Sequence, residues 1–383
     1  MLKKNKLFLS TLALILMISI TLVGCSGGGG ADGDTIKIGA LGPLTGEVAS
    51  YGTATINGVN LAIEEINANG GIDGKQIEIV QYDTKGDKTE TINIYNRLRD
   101  QDEVVAVIGG VISGETLAIK DLATSDNMPL ITATSTALEA TEEGSTVFRV
   151  CYTDPYQGAA AAKFSIETLG AKSVGILYNT DDAYSVGVTD VYAKAFEDAG
   201  LKVTNKLGYP KGEGDFSALL TQVQQSNPDI IFLPDYYDKV GKITTQIRRM
   251  GLEQDVVGVD GWDSVEKDYA EQVEGYYFVN HFAKTDSDKV VQNFISGYQK
   301  KYDAEPNSFA ALGYDTAYIL TEAIKAAGST DSQAILDKLV ETEHKGVTGN
   351  IRFDKKGDVS QKDITIIQLK DGKHELLEKI VVE

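Results

Sequence analysis

From Ile36 onward, short runs rich in β-branched residues alternate with longer stretches whose apolar positions recur every three to four residues. "IKIGAL" predicts a strand. "GTATINGVNLAIEEINANGG" predicts a helix with Ile56, Val59, Ile63 and Ile66 on one stripe, stopped by Gly70 and Gly71. The series continues as strand "QIEIVQYD", helix "ETINIYNRLRD", strand "VVAVIGG", helix "SGETLAIKDLATSDN" and strand "MPLITAT". Strands that alternate with helices and are apolar throughout predict a parallel sheet covered on both faces.

A second series of the same kind follows the stretch "FRVCYTDPYQG". It reads as helix "AAAAKFSIETLG", strand "SVGILYN", helix "YSVGVTDVYAKAFEDAG", strand "KVTNKLGYP", helix "FSALLTQVQQSNP", strand "DIIFLPD", helix "KVGKITTQIRRMG" and strand "DVVGVDG". After strand "GYYFVNHF" come three helices in a row, "DKVVQNFISGYQKKYDAEP", "SFAALGYDTAYILTEAIKAAG" and "DSQAILDKLVETEH", and a last strand pair, "GNIRFDKKGD" with "DITIIQLKDG". The helix from Phe309 to Ala327 is the most apolar of the three and is expected under the first sheet. The chain would then cross between the two halves more than once, making a hinge of strands. A chain of 383 residues without a short fixed repeat fits two domains better than a solenoid.

The first 35 residues break the pattern. "MLKKNKLFLSTLALILMISITLVGC" has a basic start, a long apolar run and an abrupt end at Cys25, which is a targeting segment. Leu22-Val23-Gly24-Cys25 resembles a bacterial lipoprotein box. That implies a signal peptide over 1–24, lipidation of Cys25 and a flexible tether over 25–34, "CSGGGGADGD". The alternative, an uncleaved apolar anchor, leaves the remainder on the same side of the cytoplasmic membrane. Cys151 is the only other cysteine, so lipidation of Cys25 leaves no internal disulfide, and Cys151 reads as a small buried apolar residue. The 56 acidic residues against 36 basic ones give a net charge of -20, spread without long blocks. Nucleic acid and anionic membrane surfaces are therefore poor partners.

Enzyme signatures are missing. There is no phosphate loop, no G-x-G-x-x-G after a strand, and "GVISG" sets its serine one residue too late for a nucleophile elbow. His281, His344 and His374 stand beside no evident Ser or Cys partner, and no metal-ligand spacing occurs. "DTKGDKTE" near Asp83 reads as a solvated turn, since it lacks the ligands of a calcium loop. No cofactor and no metal are expected.

What remains are polar loops at the carboxyl ends of parallel strands, where open α/β sheets bind ligands. Ser113 with Gly114 opens a helix, so a hydroxyl and backbone N–H groups meet there and the helix dipole favours an anion. Thr134, Ser135 and Thr136 follow the next strand. Together these loops make a carboxylate cradle, although each alone is also what a helix N-cap looks like. The second half brings Tyr184, then Asp235 with Tyr236 and Tyr237, then Asp260 with Trp262 to matching strand ends. An acid facing an anion cradle suits a ligand carrying both charges.

With these residues in view, the chain after the tether resembles the solute-binding lipoproteins of the branched-chain amino-acid ABC transporters. "IKIGALGPLTGEVASYG", "GVNLAIEEINANGGIDGKQIEIVQYDTKGD", "FRVCYTDPYQG", "GYDTAYILTEAIKAAG" and "IRFDKKGD" carry the resemblance. It implies the two-lobed type I periplasmic binding protein fold, α/β with two doubly wound parallel-sheet lobes and the ligand in the cleft. Lobe 1 would take 35–153 plus 283–355, and lobe 2 would take 154–282 plus 356–383. It implies no enzymatic activity and a monomer that delivers a free amino acid to ABC permease subunits in the membrane; the alternatives in the same fold are a binder of an amide, urea or aromatic acid, or an extracellular ligand-sensing domain. By matching motif, Ser113 and Thr136 would hold the ligand's carboxylate with help around Thr134 and Ser135, and Asp260 would take its ammonium. Tyr51, Tyr184 and Tyr236 would complete the lid and side-chain pocket. The family often has alanine where Thr134 stands, a departure that makes the cradle more polar and puts strict branched-chain specificity in doubt.

Overall fold

The computed structural model describes residues 35–360 and 362–380. The expected signal peptide, Cys25 and the expected tether lie outside the described residues.

The first half builds β1 (Ile36–Gly42), α1 (Ala49–Ala68), β2 (Ile77–Asp83), α2 (Lys88–Asp100), β3 (Ala106–Ile108), α3 (Ser113–Ser125), β4 (Leu130–Thr132) and β5 (Val147–Arg149). Its strands form one parallel sheet in the order β2-β1-β3-β4-β5. The next stretch supplies α4 (Asp154–Lys163), β6 (Ser173–Asn179), α5 (Ala183–Asp198), β7 (Lys202–Tyr209), α6 (Ser217–Ser226), β8 (Ile230–Phe232), α7 (Tyr237–Met250), β9 (Asp255–Gly258), α8 (Glu266–Val273) and β10 (Tyr277–Asn280). The chain then adds α9 (Lys289–Tyr302), α10 (Ser308–Ala327), α11 (Ser332–Val340), β11 (Glu343–Gly346), β12 (Gly349–Arg352), β13 (Ile364–Lys370) and β14 (Lys373–Ile380). The second sheet runs β14-β13-β10-β9-β8-β6-β7, with its first five chain-order strands parallel and β13 and β14 antiparallel at one edge.

Both sheets therefore repeat one winding, with the second strand outermost and the third on the far side of the first. The order reverses between β1 and β3 in one sheet and between β6 and β8 in the other. Loops leaving the carboxyl ends of such strands splay apart and leave a crevice. The chain passes from the first sheet to the second between Arg149 and Asp154, returns between Asn280 and Lys289, and passes again between Arg352 and Ile364.

The long apolar helix α10 packs on the first sheet, where Leu312, Ile319 and Leu320 meet Ile38, Ile108 and Ile131 in one buried cluster. It lies close against α1 because Gly58 and Gly313 face the partner backbone. A Cβ on either would come within 2.0 Å of the Ala310 carbonyl oxygen or 2.2 Å of that of Thr55. The second sheet is buried on both faces: Val174, Ile176, Ile230 and Phe232 line one side, and Leu177, Ile231, Leu233 and Val256 the other. That is why its strands read as continuous apolar runs.

The end of the chain differs from the sequence reading. "GNIRFDKKGD" and "DITIIQLKDG" do not pair with one another. Instead β12 pairs with β11, and β13 lies between β10 and β14. The segment "ETEH" leaves the helix because the hairpin turn after it is fixed by buried Asp315 of α10. Asp315 accepts the N–H groups of Val347 and Thr348, both at 2.8 Å, and the Thr348 hydroxyl at 2.6 Å. β14 escaped notice because the adjacent leucines of "KHELLEKI" blur its alternation, with Leu377 exposed. The helix placed over "AAAAKFSIETLG" starts earlier, at Asp154, since Thr153 caps it by accepting the Tyr156 N–H at 3.3 Å and Pro155 fits its first turn.

Candidate functional site

Gly109 and Gly110 follow β3 before α3 begins. Gly109 has φ +146, and a Cβ there would strike the Leu41 carbonyl oxygen at 2.5 Å, so glycine is required. Ser113 is the first helical residue, and Ile112 occupies the cap position with extended backbone. The capping is done instead by Glu115, whose carboxylate accepts the N–H groups of Val111 at 3.0 Å and Ile112 at 3.4 Å and the hydroxyl of Thr84. Burial pushes the Glu115 carboxyl up to about 7 against those hydrogen bonds. The loop that carries Ser113 is thus held from beneath.

The loop after β4 is tied to it. Thr132 donates its hydroxyl to the Gly110 carbonyl at 2.8 Å and accepts the Ser135 N–H at 3.0 Å. Thr134 donates to the Val111 carbonyl at 2.5 Å, and Ser113 Oγ accepts the Ala137 N–H at 3.2 Å. The other side of this loop rests on Arg149, which is fully buried. Its guanidinium donates to the carbonyls of Ser135 at 3.2 Å and Ala137 at 2.6 Å, to the Thr141 hydroxyl at 2.7 Å and to Asp358 at 2.6 Å.

Across the crevice, the turn Asp260–Trp262 after β9 presents Asp260. One carboxylate oxygen, Oδ2, lies 3.1 Å from His281 Nε2. The other, Oδ1, is buried with no partner among the described residues. Burial holds the His281 imidazole below its ordinary range, against the pull of Asp260, so the ring is neutral at pH 7. Gly261 donates its N–H to the Tyr184 hydroxyl at 2.9 Å, and Tyr184 stacks on Tyr236 with ring centres 5.2 Å apart. Tyr51, from α1 on the opposite side, closes the gap. Its hydroxyl donates to the Gly261 carbonyl and accepts the Tyr237 N–H at 2.8 Å, while its ring stacks on Phe309 at 4.2 Å.

Ser113, Thr134, Thr136, Tyr184, Tyr236 and Asp260 border one small, nearly filled cavity, and Val111, Ile112, Gly261 and Phe309 complete its wall. The wall carries one carboxylate and no lysine or arginine, with hydroxyls and the α3 N-terminus facing that carboxylate.

Other expected residues lie elsewhere. Tyr51 sits behind the wall. Ser135 does not border the cavity, because Arg149 and the Cys151 thiol, at 3.3 Å, hold its carbonyl on the far side. Trp262 is a core plug that donates its Nε1–H to the Leu233 carbonyl at 2.8 Å and stacks on Phe278. Asp235 is a structural acid that accepts the Tyr209 hydroxyl and the Tyr236 N–H, both at 2.7 Å, and burial pushes its carboxyl up to about 7.

The sequence reading missed His281, which sits in an irregular crossing without periodicity. It also missed Asp154 and Gln157, in a stretch read as a connector. Gln157 Oε1 accepts the Asp260 N–H at 3.4 Å, and Gln157 donates to Asp154 at 2.9 Å. Asp154 donates its backbone N–H to the Thr136 carbonyl at 2.7 Å, and burial drives its carboxyl well above the usual range. The T-D-P start of α4 was the available signal.

Residues 35–373 match the model of the periplasmic binding protein family. The chain belongs to that family. A leucine-, isoleucine-, valine-, threonine- and alanine-binding protein of Pseudomonas aeruginosa is 30% identical over 338 residues, covering 88% of this chain and 90% of its own. A leucine-binding protein from Thermotoga maritima superposes with a TM-score of 0.86 at 34% identity, covering 90% of this chain and 99% of that one. A branched-chain amino-acid transporter substrate-binding protein from Streptococcus pneumoniae, solved with isoleucine, gives 0.85 at 34% identity, covering 91% and 99%. The fold is therefore the two-lobed α/β arrangement of type I periplasmic binding proteins, as the resemblance implied. Family members bind solutes outside the cytoplasmic membrane. Among the described residues no helix is long and apolar enough to cross a membrane.

Proposed function

We propose that this chain is the extracytoplasmic solute-binding subunit of an ABC importer, and that it captures a free branched-chain aliphatic amino acid between its lobes and hands it to a membrane permease without chemical change. The observation that carries the reading is the cavity itself, which has hydroxyls and a helix N-terminus at one end, the unpartnered Asp260 Oδ1 at the other, and Ile112, Phe309 and two tyrosine rings between. Names of relatives that bind leucine, isoleucine and valine support it.

The α-carboxylate would lie on Ser113 and Thr136 with backbone N–H groups beside them, the ammonium on Asp260, and the side chain against Tyr184, Tyr236 and Phe309. Ser135 would act only by shaping the loop, since its N–H goes to Thr132 and its carbonyl to Arg149. Thr134 spends its hydroxyl on the Val111 carbonyl, so the extra polarity at that position is used within the protein. Charge-assisted hydrogen bonds contribute about 1.5–3 kcal/mol each and the buried aliphatic side chain about 1.5–3 kcal/mol more. Less the ordering cost, this reaches the roughly 8 kcal/mol of a micromolar site. Because Asp260, Tyr184 and Tyr236 stand on the second sheet's loops and Ser113 and Thr136 on the first's, the ligand favours the closed arrangement. Lobe 1 would comprise 35–153 plus 283–355 and lobe 2 the rest, 154–282 plus 356–383, with Tyr51 as the latch. Lipid on Cys25 would keep a monomeric protein at the membrane surface.

A thermal-shift screen tests this reading. At 1 mM, leucine, isoleucine or valine at a micromolar Kd should stabilise the fold by about 4 kcal/mol, a rise of several degrees in Tm. A rise with benzoate, urea or short amides and none with these amino acids would overturn it.

A further inference from the structure

His281 does not border the cavity, yet it holds one oxygen of the only carboxylate in its wall. Its own position is fixed from several sides. The imidazole stacks on Tyr152 with ring centres 3.6 Å apart and planes 20° apart, and its backbone N–H is held by the Asn280 side chain at 2.8 Å. Tyr152 belongs to the first crossing between the sheets and His281 to the second. Lys362, in the third, donates to the Val150 carbonyl at 3.0 Å and the Thr348 hydroxyl at 2.8 Å. All three crossings therefore converge behind Asp260. Since a carboxylate only accepts, Nε2 must carry the proton, which leaves Nδ1 bare, and Nδ1 has no partner among the described residues.

We infer that His281 is the positioning residue for ammonium recognition: by donating Nε2–H to Asp260 Oδ2 it fixes the carboxylate so that Oδ1 faces the cavity. This rests on the reading of Asp260 as the ammonium acceptor. Without the imidazole, the carboxylate is free to rotate and to bury both oxygens against backbone donors, and a ligand would have to reorient it on binding. An oriented acceptor lowers that ordering cost. A ligand without an ammonium gains nothing from it.

The test is titration calorimetry of the full mature chain with leucine and with 4-methylpentanoate, which is leucine lacking its amino group. His281→Phe keeps the stack on Tyr152 and removes the donor, whereas His281→Gln restores a donor near the place of Nε2. The expected result is a tenfold or greater loss of leucine affinity in the phenylalanine variant, recovery to within about threefold of wild type in the glutamine variant, and unchanged 4-methylpentanoate binding in both. Equal losses for both ligands would make His281 merely structural and overturn the inference. So would an unchanged leucine affinity in His281→Phe alongside a loss in Asp260→Asn. No loss in Asp260→Asn would remove the underlying reading as well. Should His281→Phe not fold, the side-chain nitrogen resonances of wild-type His281 decide: a proton on Nε2 supports the role, and one on Nδ1 overturns it.

Discussion

Asp260→Asn is expected to lower leucine affinity by roughly thirtyfold to a few thousandfold while leaving the unliganded Tm within about 2 °C of wild type. Removing one partner of a buried charge pair costs about 2–5 kcal/mol, because the other charge remains in a dry site. Asparagine has nearly the same shape. Its Oδ1 can still accept the His281 Nε2–H now held at 3.1 Å from Asp260, and the backbone N–H 3.4 Å from Gln157 is untouched. The substitution therefore removes charge without removing packing. The amide also puts a donor where a carboxylate oxygen faced the cavity, and a donor facing an ammonium is repulsive. Titration calorimetry reads the loss, and an affinity within threefold of wild type would take the ammonium away from Asp260.

Arg149→Met is expected to be the most damaging single change to the fold outside the cavity. The guanidinium is fully buried and its donors satisfy the carbonyls of Ser135 and Ala137, the Thr141 hydroxyl and the Asp358 carboxylate. Methionine fills much of the volume but leaves Asp358 buried and unpaired, at a cost of about 3–5 kcal/mol. At 2–4 °C per kcal/mol for chains of a few hundred residues, that is a fall in Tm of roughly 6–20 °C. The same residue props the loop bearing Thr134 and Thr136, so leucine affinity should fall with stability. Arg149→Met with Asp358→Leu would recover part of the Tm, because the stranded charge is gone. A loss under about 1 kcal/mol in the single variant, measured by urea denaturation, would show that the ion pair is not what holds this loop.

Much of the fold was legible because its strands are apolar on both faces and its helices carry one stripe. The site was legible where it obeys strand-end logic: Ser113, Thr136 and Asp260 follow the ends of β3, β4 and β9, and the structure brings them to one cavity. The same logic misdirected at Trp262 and Asp235. An aromatic or acid at a strand end looks alike in sequence whether it turns to the crevice or to the core, and here a short turn sends Asp260 one way and Trp262 the other. Arg149 carried a readable signal, a lone guanidinium amid Val147, Phe148 and Val150. His281 carried none, since its role depends on three crossings that meet only once the chain has folded.

On the proposed function, a zwitterion would lie across the crevice with its negative end on the α3 loop and its positive end on Asp260. A crystal structure of the leucine complex tests it most directly. A leucine carboxylate oxygen is expected within about 2.5–3.2 Å of Ser113 or Thr136, and the ammonium nitrogen within the same range of Asp260 Oδ1. Leucine bound in the reverse orientation, or in another cavity, would contradict it.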